Sequence, residues 1–460
     1  MAGLRLEISA RWAFRAVLVA GYLAMLGANL PGHLSYDSVA QLYEGHFHVR
    51  ETWGPALYAG LLGFFDGIVP GTSLYVVASG LLLFGSLASF SDLRPRTSWL
   101  AVLAAALAVL TPQLIIYQAI VWKDVMFANC AIAGLVCLAH AAKHWSLAWR
   151  RWLFLAAALM LLAAASQVRQ NGIIASLFAA AALGWIASDG RWRRGLAWGV
   201  GGVVAVLVMA QIQLTLSLPA HAPKESATKT GLRIVQNYDL IGAAAMDPHY
   251  RFDIMAATDP THTAAIQARA KADYSGRRVD FMDRDLSLGV ALEAIPNDVA
   301  QRQWFDLIFR HPALYLRVRW EDFRWVFATP VIDWCLPVYM GVDAPEEKME
   351  PLKLERRYVQ SDVELNNYST WLYDTPIFRH WFYAAISLVA AGLLLLRRQP
   401  ADIAMAALQL AGLAFAASFF IVSIACDYRY LYFTDLAAIA GLIYLAVDPP
   451  WPRRRPAAAS

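Results

Sequence analysis

IAMAALQLAGLAFAASFFIVSIA, residues Ile403–Ala425, decides the fold class. Its 23 residues include no charged side chain. At about 1.5 Å of rise per residue, a helix of that length crosses a hydrocarbon layer roughly 30 Å thick. Ala101–Leu110, Leu153–Ala165 and Gly199–Ala210 have the same character and sit in, or make up, similar windows. The chain as a whole agrees. Of its 460 residues 58% are hydrophobic and 16% charged, with a mean hydropathy of +0.43, whereas a soluble domain carries roughly a quarter charged residues. One water-soluble core cannot hide that much apolar surface. Backbone inside lipid must satisfy its own hydrogen bonds, which helices do, and the alternation that marks a membrane β-barrel is missing. The expected fold class is therefore an all-α polytopic membrane protein.

Hydropathy places about ten spans, near 12–30, 73–90, 98–116, 124–142, 152–167, 171–187, 195–217, 381–396, 402–425 and 430–447. Trp53–Val69 is also apolar, but Pro55 and Gly60 interrupt it, so it reads as a re-entrant or interfacial piece. Lysine and arginine set the orientation. Arg5, Arg11 and Arg15, Arg94 and Arg96, Lys143, Arg150 and Arg151, Arg191, Arg193 and Arg194, Arg397 and Arg398, and Arg453, Arg454 and Arg455 alternate with the spans on one side. The opposite short loops hold only Arg50, Lys123, Arg169 and Arg429. Both termini are thus expected in the cytoplasm. No small-residue cleavage site follows the first apolar stretch, so a retained anchor is expected.

The domain reading is a transmembrane core over 1–217 with a first outer loop at 31–72. A long hydrophilic stretch at 218–380 follows, between the seventh and eighth expected spans. Its length suits an extracytoplasmic α-rich domain, with room for mixed structure, and Asp298–Arg310 reads as one of its helices. C-terminal spans occupy 381–447 and a Pro/Arg/Ala tail 448–460. Four cysteines make no disulfide framework. Cys130 and Cys137 share an apolar helix. Cys335 and Cys426 both fall outside in this topology, which allows a bridge between them, though nothing in the sequence pairs them.

Chemistry gathers at the outer helix ends. The short loops there carry Ser35-Tyr36-Asp37-Ser38, Trp122-Lys123-Asp124, Arg169-Gln170-Asn171-Gly172 and Asp427-Tyr428-Arg429-Tyr430. Ionisable groups at membrane depth are costly and mark functional sites, and together these loops would make a pocket for an anion beside a lipid. Each group also has a plainer reading. Asp37 could cap a helix starting near Ser38. Lys123 and Asp124 could pair locally. Arg169 could snorkel to the headgroups. Asn171-Gly172 could be an ordinary turn, and Arg429 could serve Asp427 alone. Tyr36, Trp53, Tyr117, Trp122, Tyr428 and Tyr430 fit an interfacial belt. The spacing of His33, His46 and His48 matches no metal pattern, and no metal site is expected. Co-location carries the functional reading; no single residue does.

The arrangement resembles the GT-C superfamily of integral membrane glycosyltransferases, which includes protein mannosyltransferases and the aminoarabinose transferases of lipid A. Its members follow a first span with an outer loop bearing an acid, the place of Asp37 here. A second acid in the next outer loop corresponds to Asp124. Arg169-Gln170-Asn171-Gly172 resembles an Arg-x-Asn-Gly run after the fifth span, and Asp427-Tyr428-Arg429-Tyr430 resembles an Arg-Tyr element before a late span. The likeness covers about 1–217 and, more loosely, 381–447. Asp37 stands alone where many relatives have an acidic pair, and the outer domain lies earlier than usual in the chain.

The resemblance implies a polyprenyl-phosphate sugar donor, an extracytoplasmic acceptor (a cell-envelope glycan, lipid or protein) and the inner membrane of a bacterium. No nucleic-acid partner is expected. Asp37 would be the base and Asp124 the second catalytic acid. Lys123, Arg169 and Arg429 would hold the donor phosphate, with Tyr36, Asn171, Asp427 and Tyr430 in support. The superfamily leaves room for a divalent cation that this sequence does not require. Competing readings are a transporter or flippase for a lipid-linked or anionic substrate, a lipid-linked polysaccharide polymerase or ligase, and a non-catalytic assembly factor. The spans show no clear repeat and little midplane charge, which weighs against transport.

Overall fold

The computed structural model describes residues 2–52, 54–218, 227–284 and 286–449. Trp53, Arg453, Arg454 and Arg455 lie outside the described residues, as do 219–226 of the long hydrophilic stretch. Among the described residues every regular element is a helix, joined in places by isolated β-bridges. Nine helices among the described residues are long and apolar enough to cross a membrane. In chain order these spans are Ser9–Asn29, Ser73–Leu93, Lys123–Lys143, Ala148–Val168, Gln170–Ser188, Trp192–Ser217, His380–Arg397, Pro400–Val422 and Tyr428–Val447. This is the multi-pass organisation of a membrane protein.

The span expected at 98–116 is not one straight helix. Trp99–Val109 and Pro112–Ala119 form a pair bent by 70°. Pro112 is the cause: it has no N–H to continue the ladder, and Thr111 before it is held in the extended region. The expected count of ten is therefore nine, or ten if the bent pair makes one crossing, and the long hydrophilic stretch follows the sixth straight span.

Packing separates core spans from rim spans. The third and ninth are each 89% buried within the molecule, against 11% for the sixth. The eighth packs against the third, fifth, seventh and ninth. The span ends fall into two sets, the second and third spans running the same way with the bent pair between them. At one end Arg15 reaches Asp92 at 2.5 Å, Arg94 pairs with Asp402, and Arg397 lies 3.3 Å from the same carboxylate, which also accepts from Tyr444 Oη at 3.0 Å. At the other end lie all the loops that carry the candidate site.

Residues 36–68 form a helical hairpin. Tyr36–Phe47 is capped by Ser35, whose backbone N–H meets Ser38 Oγ at 3.2 Å. Asp37 is therefore inside the helix's first turn and does not cap a helix from Ser38. The partner helix Ala56–Ile68 crosses it where two glycines meet; a Cβ on Gly63 would stand 2.2 Å from the Gly45 carbonyl oxygen. Only glycine allows that approach.

The described part of 227–328 is a second helical unit with its own apolar core, built on Tyr238, Ile241, Ile266, Leu288, Leu307 and Val318. Asn297–Arg310 is one of its helices, close to the expected Asp298–Arg310. A clasp ties the unit to the bundle. Buried Arg319 meets Asp239 at 2.5 Å and Asp322 at 2.7 Å, and donates to the Ile421 and Ser423 carbonyls at the end of the eighth span. Burial pushes the Asp322 carboxyl up to about 8, with Arg319 opposing. A disulfide joins Cys335 to Cys426, their Cα atoms 4.9 Å apart, and binds the segment after the unit to the loop before the last span.

Candidate functional site

Four segments distant in sequence are stitched together at one end of the bundle. The His33 N–H donates to the Ala119 carbonyl at 3.0 Å and Val121 donates back to His33 at 3.0 Å. Leu34 and Gly341–Asp343 exchange a similar pair at 2.9 and 3.1 Å. Arg357 reaches the Gly32 carbonyl at 2.8 Å. Trp122 Nε1 donates to Ser35 Oγ at 2.9 Å, so the Trp122-Lys123-Asp124 loop is fixed directly to the cap of the Asp37 helix.

His33 is fully buried at the centre of this stitching. Its Nδ1 accepts from the Gly341 N–H at 3.0 Å and its Nε2 meets Asn29 Oδ1 at 2.9 Å, a pattern that suits the neutral ring. Burial pushes its pKa down to about 4. Asp362, 3.5 Å from Nδ1, pulls the other way, and Arg357 adds to the depression.

On this frame the ionisable side chains converge. Arg429 binds two carboxylates, Asp37 at 2.8 Å and Asp427 at 3.3 Å. Asp427 is also held by Arg278 from the second helical unit, and Arg278 lies 3.4 Å from Asp280. Asp124 is buried and pairs with Arg169. Lys123 has Arg169, Arg429 and Asp37 as its electrostatic neighbours. Aromatic rings wall the cations. The Arg429 guanidinium lies 4.8 Å from the Trp122 ring and 5.7 Å from Tyr430, and that of Arg169 lies 5.3 to 5.7 Å from Tyr430, Phe419 and Phe415. Cations on aromatic faces are fixed in place yet keep donors for a ligand. The Asp37 side chain is 45% exposed, far more open than Asp124 or Asp427.

Every expected site residue thus lies in or beside one cluster, with partners that differ in part from those expected. Asp124 does not pair with its neighbour Lys123: it takes Arg169 from the next span. Arg169 is not a side chain snorkelling into headgroups, and Arg429 serves Asp37 as well as Asp427. Asn171 donates to Ser418 Oγ at 3.1 Å, which anchors the loop. Gly172 sits in a 3-10 turn with φ −63, so it is not there for a left-handed turn. A Cβ there would stand 2.4 Å from the Ala165 carbonyl, which explains the glycine. Tyr36 is exposed beside Asp37.

Sequence reading missed three groups. Arg278 has no local signal, since its contact spans 149 positions. His380 and Asp435, fully buried, pair at 2.9 Å just behind the cluster, and the His380 ring stacks on Tyr428 at 4.2 Å. A signal for this pair existed: Asp435 is the lone carboxylate in the last apolar span. Among the described residues no group of three or more histidines, cysteines and carboxylates stands close enough to hold a metal ion. Comparison of the chain with family models, curated proteins and solved structures finds no match.

Proposed function

We propose that the chain is a membrane glycosyltransferase of the GT-C kind, moving a sugar from a polyprenyl-phosphate donor to an acceptor outside the cytoplasm. One observation carries the reading: a half-exposed acid, Asp37, held 2.8 Å from Arg429 beside Lys123 and Arg169, where the apolar spans end. A lipid-linked phosphodiester presents its charge at that depth while its tail stays in hydrocarbon. The proposed topology has both termini in the cytoplasm of a bacterial inner membrane, the bent pair as the tenth crossing, and the 227–328 unit outside.

In the proposed reaction the acceptor hydroxyl or amine attacks the anomeric carbon and the bond from that carbon to the phosphate oxygen breaks. The acceptor proton goes to Asp37, and polyprenyl phosphate leaves with the bonding pair, its charge stabilised by Arg429, Arg169 and Lys123. Arg429 fixes the position of Asp37 while offering remaining donors to the phosphate. Asp124 sets Arg169 and Asp427 sets Arg429. The test is release of polyprenyl phosphate by the purified protein from a panel of polyprenyl-phosphate sugars supplied with envelope extracts as acceptor. Asp37→Asn should abolish release while leaving fold and donor binding intact. Turnover near that of the parent protein would remove Asp37 from the role of base.

A second reading, transport of a lipid-linked or anionic substrate, draws on the buried His380–Asp435 pair inside the spans. It predicts movement of the intact donor across vesicles with no bond broken, which the same release assay distinguishes.

A further inference from the structure

At the bundle end away from the charged cluster, the fourth, fifth and sixth spans diverge around a cavity of about 580 Å³. Leu159, Leu183 and Val206 are among the side chains that wall it, and they are apolar almost throughout. It opens sideways, where Trp152 and Gly201 are exposed. Its mouth is different in kind. Trp152 and Trp198 line it with ring centroids 5.9 Å apart, and Trp145 lies 5.6 Å from Trp198. The Arg151 guanidinium sits 5.3 Å from both the Trp145 and Trp152 rings. It donates to the Trp145 carbonyl at 3.1 Å, and its Nε is buried without a hydrogen-bond partner. The loops at this end, 143–151 and 189–194, hold Lys143, Arg150, Arg151, Arg191, Arg193 and Arg194 against the single acid Asp189, which takes Arg194 at 3.6 Å.

We propose that this cavity binds one hydrocarbon chain of an anionic phospholipid from the surrounding bilayer, with the lipid phosphate at Arg151. An apolar cavity open to lipid is filled by lipid, because an empty one forfeits dispersion contacts along its whole wall. Tryptophan rings settle at the level where chain meets headgroup. Above them the Arg151 guanidinium, held over the Trp145 and Trp152 rings, selects negative charge. The site is independent of the glycosyl-transfer reading and lies at the opposite end of the spans.

Native mass spectrometry of the full-length detergent-purified protein, given equal amounts of dioleoylphosphatidylglycerol and dioleoylphosphatidylcholine, tests this. The parent protein should retain one phosphatidylglycerol per chain with a preference of about fivefold, the contribution of one well-placed cation. Gly201→Leu fills the cavity; a Cβ at Gly201 meets no atom within 4 Å, so the fold has room for it. That variant should lose the retained lipid. Arg151→Gln should keep a lipid but hold the two headgroups equally. Equal retention by the parent protein overturns the proposal, as does full retention by Gly201→Leu. If Gly201→Leu does not fold, Arg151→Gln decides: an unchanged preference refutes the site.

Discussion

Arg429 is the residue on which the cluster turns, since its ion pairs join Asp37 to Asp427. Arg429→Lys keeps the charge but not the planar fork that meets two carboxylates. Transfer should fall by about tenfold or more, consistent with losing one charge-assisted hydrogen bond, while thermal stability changes little; a lysine variant with parent-level turnover would count against the role. At Arg169, which pairs with the buried Asp124, a substitution that removes the charge acts on stability. Arg169→Ala leaves Asp124 uncompensated and should cost about 3–5 kcal/mol by thermal unfolding. The double variant Asp124→Asn/Arg169→Gln should regain much of that stability but not donor binding. Unchanged donor affinity in it would refute a phosphate contact.

His33 gives a pH signature. Its folded pKa, about 4, lies below the ordinary 6.5, so the unfolded chain binds the extra proton first. Stability is complete above pH 6.5 and is lost as pH falls toward 4. His33→Gln should flatten the melting temperature across that window, and an identical slope in the variant would exclude His33. At this scale the sequence was half legible. Ionisable side chains beside apolar runs are costly enough to stand out, so Asp37, Lys123, Asp124, Arg169 and Arg429 could be picked from the chain. Their partners could not: Asp124 adjoins Lys123 yet bonds Arg169, because partnership depends on how spans pack and not on adjacency.

Among elements, the hairpin 36–68 delivers Asp37, and its crossing depends on bare backbone at Gly45 and Gly63. Gly63→Val would push the helices apart by more than a side-chain adjustment can absorb. Transfer should drop sharply while the spans still insert, read by comparing turnover with the far-ultraviolet helix signal; a fully active Gly63→Val would show that the crossing does not set Asp37. The disulfide between Cys335 and Cys426 closes a loop of 91 residues. Replacing both with serine should lower stability by about 2–4 kcal/mol, measured as a fall in melting temperature equal to that caused by reductant. Element identity was legible wherever apolar runs were long and unbroken. It failed at the bent pair, where Pro112 inside an apolar window redirects the chain without lowering its hydropathy. The topology allowed the Cys335–Cys426 bridge by putting both thiols on one side, but no local pattern required it, since proximity across that loop comes from the docked helical unit.

Over the whole molecule, the spans sort charged residues to two ends, and the multi-pass class followed from hydropathy alone. Single cysteines at positions 37 and 169 should be modified by the same membrane-impermeant reagent from the same side, with cysteines at 11 and 397 labelled only from the other. Labelling of 37 and 169 from opposite sides would abolish the shared site. The parts of that site also differ in when they become available. A ribosome delivers Asp124 and Arg169 on consecutive spans, so the two can neutralise each other as a hairpin during insertion. Asp37 emerges near the start, and Arg429, with Asp427, leaves only after almost everything else is made. A nascent chain therefore carries its proposed base without Arg429 through nearly the entire course of translation, and under the proposed mechanism any product released before the final helix should be inactive.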